Sequence, residues 1–236
     1  MPEVTEVLLR HGPSLLLLQE VDVNARRTGR RNIAEELAHS LRLPYLFAAE
    51  FEELGQGTRD SPAYHGQAIL TALPASSPRI IRFKQQTTFW RPRSYMPDWP
   101  AFQRRKGGRL VLVCEVDVAG RPLVVYNAHL ESRESEQLRK AQLDEILADT
   151  RRYPADTPIL IAGDFNTRTK ASPVIDALLK AGFQMAAGRD VTTIRGSALD
   201  WIFVRGAQRF EQGMIHRDTK ASDHFPLTVV VHFNPL

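Results

Sequence analysis

Ile159-Leu-Ile-Ala-Gly-Asp-Phe-Asn166 sets a short apolar run directly against Asp164 and Asn166. The run follows Pro158 and reads as a strand buried on both faces. A carboxylate against such a strand is costly unless it is paired or holds a metal. The same arrangement recurs along the chain. Glu20 follows Leu15-Leu-Leu-Leu-Gln19, and His129 follows Leu123-Val-Val-Tyr-Asn-Ala128. Asp223 and His224 precede Phe225-Pro-Leu-Thr-Val-Val-Val231, and Asp200 lies between Ala198-Leu199 and Trp201-Ile202-Phe203. Any one of these alone reads more simply as a cap, a turn residue or a satisfied structural acid. Five such places with two histidines are hard to explain as coincidence.

Val4 to His11 reads as the last turns of a helix closed by Gly12-Pro13. Leu15 to Gln19 is a buried strand, and Ile33, Leu37 and Leu41 keep helical spacing up to Pro44. Leu46 to Ala49 and Gln67 to Thr71 are short strands. Arg109 to Val118 and Leu123 to His129 form a hairpin across Ala119-Gly-Arg-Pro122. Glu134 to Tyr153 is a helix, with Arg151 and Arg152 in its last turn and Pro154 beyond. Ser172 caps a further helix with proline at its first position, running to Lys180 and stopped by Gly182. Ala198 to Val204 and Pro226 to His232 are the final strands. No repeat or linker interrupts residues 1–236, so one α/β domain is expected. Two mainly antiparallel or mixed sheets packed face to face, with helices outside, fit this order.

The 236 residues are 43% hydrophobic and 25% charged, the mix of a soluble globular chain. The single cysteine, Cys114, cannot form an internal disulfide and reads as a small buried hydrophobe. No apolar stretch is long enough to span a bilayer, and the acidic start Met1-Pro-Glu-Val-Thr-Glu6 is no signal peptide, so a cytoplasmic location is expected. The net charge of +4 is unevenly spread: Arg79 to Arg109 holds nine Lys or Arg and one acid, Asp98. These bases are interleaved with Phe83, Phe89, Trp90, Tyr95, Trp99 and Phe102. Positive charge suits phosphates and rings suit unpaired bases, so nucleic acid is the expected partner, with contacts at Arg91, Arg93, Arg104, Arg105 and Arg109. A solvated loop with a few aromatics tucked into the core fits equally well, and docking on anionic lipid headgroups is a third reading.

Five strings carry a resemblance: Leu18-Gln-Glu20, Asn127-Ala-His-Leu130, Gly163-Asp-Phe-Asn166, Leu199-Asp-Trp-Ile-Phe203 and Ser222-Asp-His-Phe-Pro-Leu227. In this order they resemble the motifs of the endonuclease/exonuclease/phosphatase family, and Gly66-Gln-Ala-Ile-Leu-Thr71 resembles its internal strand. The resemblance implies a DNase I-like four-layer α/β/β/α sandwich that hydrolyses phosphate esters with Mg²⁺ or Mn²⁺. Glu20 would bind the metal and Asp223 would support it or its waters. Asp164 would orient or deprotonate the attacking water, and Asn166 would hold that water or a phosphate oxygen. Asp200 would fix a histidine, His224 foremost, while His129 and His224 would contact the phosphate and serve in acid–base chemistry.

DNA or RNA is the first expected substrate. A sphingomyelinase-like or small-molecule phosphodiesterase and a weakly active member used as a binding module are the alternatives. The inositol-phosphatase-like branch is disfavoured, because its longer Trp-Cys-Asp-Arg type motif is not found near Asp200. His11, His39, His65, His216 and His232 read as surface or satisfied polar residues, and Arg139 and Gln142 are given no role. Members of the family usually open with an Asn-bearing strand ahead of the first helix. Here Met1 already stands at that helix, so either the start is truncated or misassigned, or an edge left bare in one sheet is covered by self-association.

Overall fold

The computed structural model describes residues 2–87, 101–133, 135–168, 171–211 and 213–233. Four helices are described: α1 (Pro2–His11), α2 (Ile33–Leu41), α3 (Glu136–Thr150) and α4 (Pro173–Lys180). The smaller main sheet contains β1 (Leu15–Val23), β2 (Tyr45–Glu53), β3 (Tyr64–Thr71) and β5 (Arg105–Gly107), ordered β1-β3-β2-β5 and antiparallel throughout. The larger contains β4 (Ala75–Arg82), β6 (Leu110–Val118), β7 (Arg121–His129), β8 (Ile159–Asp164), β9 (Gln184–Ala187) and β10 (Asp200–Arg205). Its order is β4-β6-β7-β8-β10-β9, and only β7 and β8 run parallel. Alternation along the strands builds the layers. Val124 and Tyr126 face the α3–α4 core, whereas Leu123 and Val125 face the space between the sheets. Ala68 and Leu70 face α2, and Ile69 faces the opposite sheet. The result is the expected α/β/β/α sandwich. Cys114 is buried between the sheets, where burial first and then Glu115 push its thiol up to about 11.

The differences from the sequence reading have local causes. The β6–β7 loop is only Ala119-Gly120, both in left-handed conformations, as a two-residue hairpin turn requires. Strand β4 was missed because Ser76, Ser77 and Pro78 hide it. It is an edge strand, mostly exposed, with a register shift between Ser76 and Arg79. The run Pro226 to His232 is two short strands: β13 (Leu227–Thr228) pairs with β12 (Met214–Ile215), and β14 (Val231–His232) with β11 (Arg209–Phe210). Among the described residues β1 pairs on one side only, with β3. No helix among these residues is long and apolar enough to cross a membrane.

Gly163 holds φ +136°, and a Cβ there would run into the carbonyl oxygen of Ala128. It therefore lets β8 approach β7 at the end that carries His129 and Asp164. Gly163→Ala is expected to lower the unfolding free energy by at least about 1–3 kcal/mol, read from urea denaturation.

Candidate active site

Register brings three polar side chains together. Across β7, β8 and β10, His129 stands opposite Asp164 and Asp164 opposite Asp200. Each shares the strand face that packs between the sheets, so the row lies at one end of that layer. His129 Nε2 is 3.7 Å from Asp164 Oδ2. Asp200 receives His224 Nδ1 at 2.8 Å. His224 comes from the segment after Ser222. That segment is pinned by Phe225 N donating to Thr192 O and by Ile194 N donating to Asp223 O. The hydroxyl of Thr192 accepts from the amides of Leu199 and Asp200. Thr192 was not anticipated, although Thr192-Thr193 before a turn is the kind of pair that caps backbone amides.

Asn166 has a positive φ of 51°. Its amide donates to Asp164 Oδ1 at 2.8 Å and its Nδ2 to the Leu130 carbonyl at 3.0 Å. Those bonds leave its Oδ1 without a partner among the described residues. Glu20 lies at a register shift between Leu18 and Val21, with φ 57°. This bulge turns an exposed carboxylate outward where simple alternation would not.

The electrostatics separate the acids. Burial raises the Asp164 carboxyl, Asp200 adds to it, and the result lies above the usual range despite His129 and His224. Burial would also raise Glu20, but His129, His65 and Arg109 outweigh it and hold the group low. Burial alone would neutralise His224. Its hydrogen bond to Asp200 and the charges of Asp200, Asp164 and Asp223 instead raise it to about 9. His224 is therefore an imidazolium at neutral pH.

Several partners were not visible in the sequence. Glu50, fully buried at a bulge in β2, accepts from Arg109 Nη1 at 2.8 Å and from Gln67 Nε2 at 2.7 Å. Despite complete burial, His129 and Arg109 hold its carboxyl at about 2. Arg109 Nη1 also lies 2.8 Å from His129 Nδ1. The same Nδ1 lies 3.4 Å from Glu50 Oε1, so Arg109 and Glu50 together hold the back of the ring and leave Nε2 facing Asp164. Arg109 is thus a buried positioning group for His129, not a solvated phosphate contact. Arg105 is likewise paired with Glu53 at 2.7 Å, because β5 folds it back onto β2. Arg104 is exposed, and Arg91 and Arg93 lie outside the described residues. Arg79, first in the basic run, is bound to Asp149 and Tyr153 beside α3.

Arg139 and Gln142 acquire structural work. Arg139 donates to the Glu131 carbonyl and to Glu136, and Gln142 Oε1 accepts from the Glu131 amide, pinning the chain just after His129. Glu136 Oε2 accepts from both Thr167 and Ser172 at 2.6 Å, pinning the chain after Asn166.

Two places could hold a cation. Asp164, Asp200 and His224 bring ligand atoms within 4.8 Å of one another, and neither Glu20 nor Asp223 belongs to that group. Yet both Asp200 oxygens already face the His224 ring, whose positive charge opposes a cation there. Glu20 is ionised, exposed and without a hydrogen bond or ion pair among the described residues. Its oxygen chemistry and free lone pairs fit a hard divalent ion better.

The endonuclease/exonuclease/phosphatase family profile matches residues 3–224. No curated protein matches the chain by overall sequence. Among solved structures, an endonuclease/exonuclease/phosphatase from Beutenbergia cavernae superposes with a TM-score of 0.71 at 18% identity, over 98% of this chain and 66% of its own. A functionally unknown conserved protein from Enterococcus faecalis gives 0.71 at 24% identity, over 98% and 90%. The human Nocturnin catalytic domain gives 0.67 at 19% identity, over 97% and 86%. At these identities the likeness speaks for the fold.

The raised His224 makes a pH prediction. Its contribution to stability is complete below the unfolded value of 6.5 and is lost as pH rises through about 9. In chelator, the thermal midpoint is expected to fall between pH 6.5 and 9, and Asp200→Asn is expected to flatten that fall.

Proposed function

Because this chain belongs to the endonuclease/exonuclease/phosphatase family, we propose that it is a divalent-metal-dependent phosphodiesterase whose first substrate class is DNA or RNA. The observation that carries this reading is the single row of His129, Asp164 and Asp200, completed by His224. It places a carboxylate raised by burial beside an imidazolium fixed by a second carboxylate. Such a pair can take a proton from water on one side and offset charge on phosphate on the other.

In this reading Asp164 accepts the proton of the attacking water, with its Oδ1 fixed by the Asn166 amide. The free Oδ1 of Asn166 orients that water. His224, held by Asp200, donates to a phosphate oxygen and then toward the leaving oxygen. His129 offers its Nε2 proton to another phosphate oxygen, with Arg109 and Glu50 fixing the ring behind it. Glu20, supported by Asp223, would hold Mg²⁺ or Mn²⁺, which supplies positive charge against the phosphate and the leaving oxygen when bound. Exposed Arg82, Lys84 and Arg104, with Arg91 and Arg93 of the same stretch of sequence, favour a polyanionic substrate. Among the described residues β1 pairs only with β3, and self-association through its other edge is a part of this reading that sedimentation at increasing concentration would detect as a rising mass.

A panel of single- and double-stranded DNA, RNA, phospholipid and a chromogenic diester, each with Mg²⁺ or Mn²⁺, tests the substrate class. Turnover is expected to vanish in EDTA and return with metal; full activity in chelator removes the metal from the mechanism. Asp164→Asn and His224→Ala are each expected to lower kcat by about 10²–10⁴ at saturating metal. Glu20→Gln is expected to raise the metal concentration needed for half-maximal rate.

A further inference from the structure

Beyond Glu20 the chain makes a second constellation that the chemistry above does not use. Asp22 and His65 are register partners on β1 and β3, both buried, with His65 Nδ1 at 2.8 Å from Asp22 Oδ1. Arg27, in the 3-10 turn Arg26–Thr28, clasps Asp22 through Nε at 2.7 Å and Nη2 at 2.6 Å. The same Nη2 lies 3.6 Å from Glu53 Oε1, the oxygen that Arg105 meets at 2.7 Å. The turn itself is anchored, since the amides of Arg26 and Arg27 donate to the carbonyl and side chain of Gln56.

This is more than an ordinary surface ion pair. Asp22 is nearly sealed from solvent, yet Arg27 keeps 38% of its side chain exposed. Its Nη1 makes no hydrogen bond or ion pair among the described residues. A guanidinium has two usable edges. Asp22 takes the edge of Nε and Nη2 and fixes its plane, Nη2 also reaches His65 Nδ1 at 3.1 Å, and Nη1 is the donor left for an incoming anion. Two arginines converge on Glu53, and the Asp22 that Arg27 clasps stands two residues along β1 from Glu20, the carboxylate proposed to hold the metal.

We propose that Arg27, held by Asp22 and His65 and flanked by Arg105, forms a second phosphate subsite that takes an additional phosphate of the substrate beside the scissile one. The subsite rests on the phosphodiesterase reading and adds a preference to it: substrates with two phosphates should outcompete those with one. The added phosphate comes either from the neighbouring linkage of a strand or from a terminal phosphate.

The test uses the full chain with Mn²⁺ and three substrates: a thymidine dinucleotide, the same dinucleotide with a 5′-phosphate, and the trinucleotide. Each of the last two adds one phosphate to the first. Wild type is expected to show a higher kcat/KM for at least one of them than for the plain dinucleotide. Arg27→Gln is expected to reduce that ratio by about 10-fold or more, the scale of a lost charged hydrogen bond. Loss with the phosphorylated dinucleotide assigns a terminal phosphate, and loss with the trinucleotide assigns the strand. Arg27→Lys keeps the charge but cannot hold Asp22 and present a second donor edge together. It should also lower the ratio, and it carries the test if the glutamine variant does not fold. Folded variants with wild-type ratios overturn the subsite alone. Failure of wild type to cleave any of the three, or a chromogenic diester, removes the phosphodiesterase reading and the subsite with it.

Discussion

The site depends on strand register. His129, Asp164 and Asp200 face one another only because β7, β8 and β10 are aligned residue for residue at one end of the larger sheet. A slip of one residue would send a carboxylate into the α3–α4 core and an apolar side chain into the site. The apolar alternation on these strands prevents that slip. Ile159 and Ile161 are locked into the helix-side core, and Leu160 and Ala162 into the layer between the sheets. Packing energy spread over many residues thus sets the geometry of a few polar ones.

Backbone irregularity supplies what regular alternation cannot. The bulge in β1 exposes Glu20, and the bulge in β2 buries Glu50 behind His129. Asn166 takes a left-handed conformation to aim its amide at Asp164. Such conformations are costly for residues other than glycine and persist where surrounding structure enforces them. Here Gln19 and Asn127 are part of that enforcement. Gln19 Nε2 donates to Asn127 Oδ1 at 2.6 Å, and Asn127 Nδ2 donates to the carbonyls of Leu18 and Ala68. One buried amide on the larger sheet therefore fixes two strands of the smaller one next to Glu20.

This explains what the sequence could convey. The strands of the row announce themselves because each is an apolar run with a polar residue at its end. The layer order follows, since alternation and turns are local properties. Glu50, Asp22 and Glu53 could not be picked out in the same way. Each is an acid within or beside an ordinary strand, and its importance comes from a cation contributed by distant sequence: Arg109, Arg27 and Arg105. Arg109 shows the limit most clearly. In sequence it is one more base in a positive stretch, whereas in the fold it is 3% exposed and spent on Glu50 and His129. Charge density along the chain does not distinguish a solvated cation from one consumed by a buried acid.

The pairing of acids with arginines also bears on how an anion and a cation could share this cleft. Asp22, Glu50 and Glu53 are each matched by an arginine. Were the acids unpaired, their summed charge would repel a phosphate; were the arginines unpaired, they would repel a metal ion. Matching them cancels most of that field at short range. Glu20 is left as the acid without an ion-pair partner among the described residues. In the proposed reading, a divalent ion on Glu20 would leave a local excess of positive charge in a site whose polar groups are already fixed. That excess is what an anionic substrate would meet, with little rearrangement needed on binding.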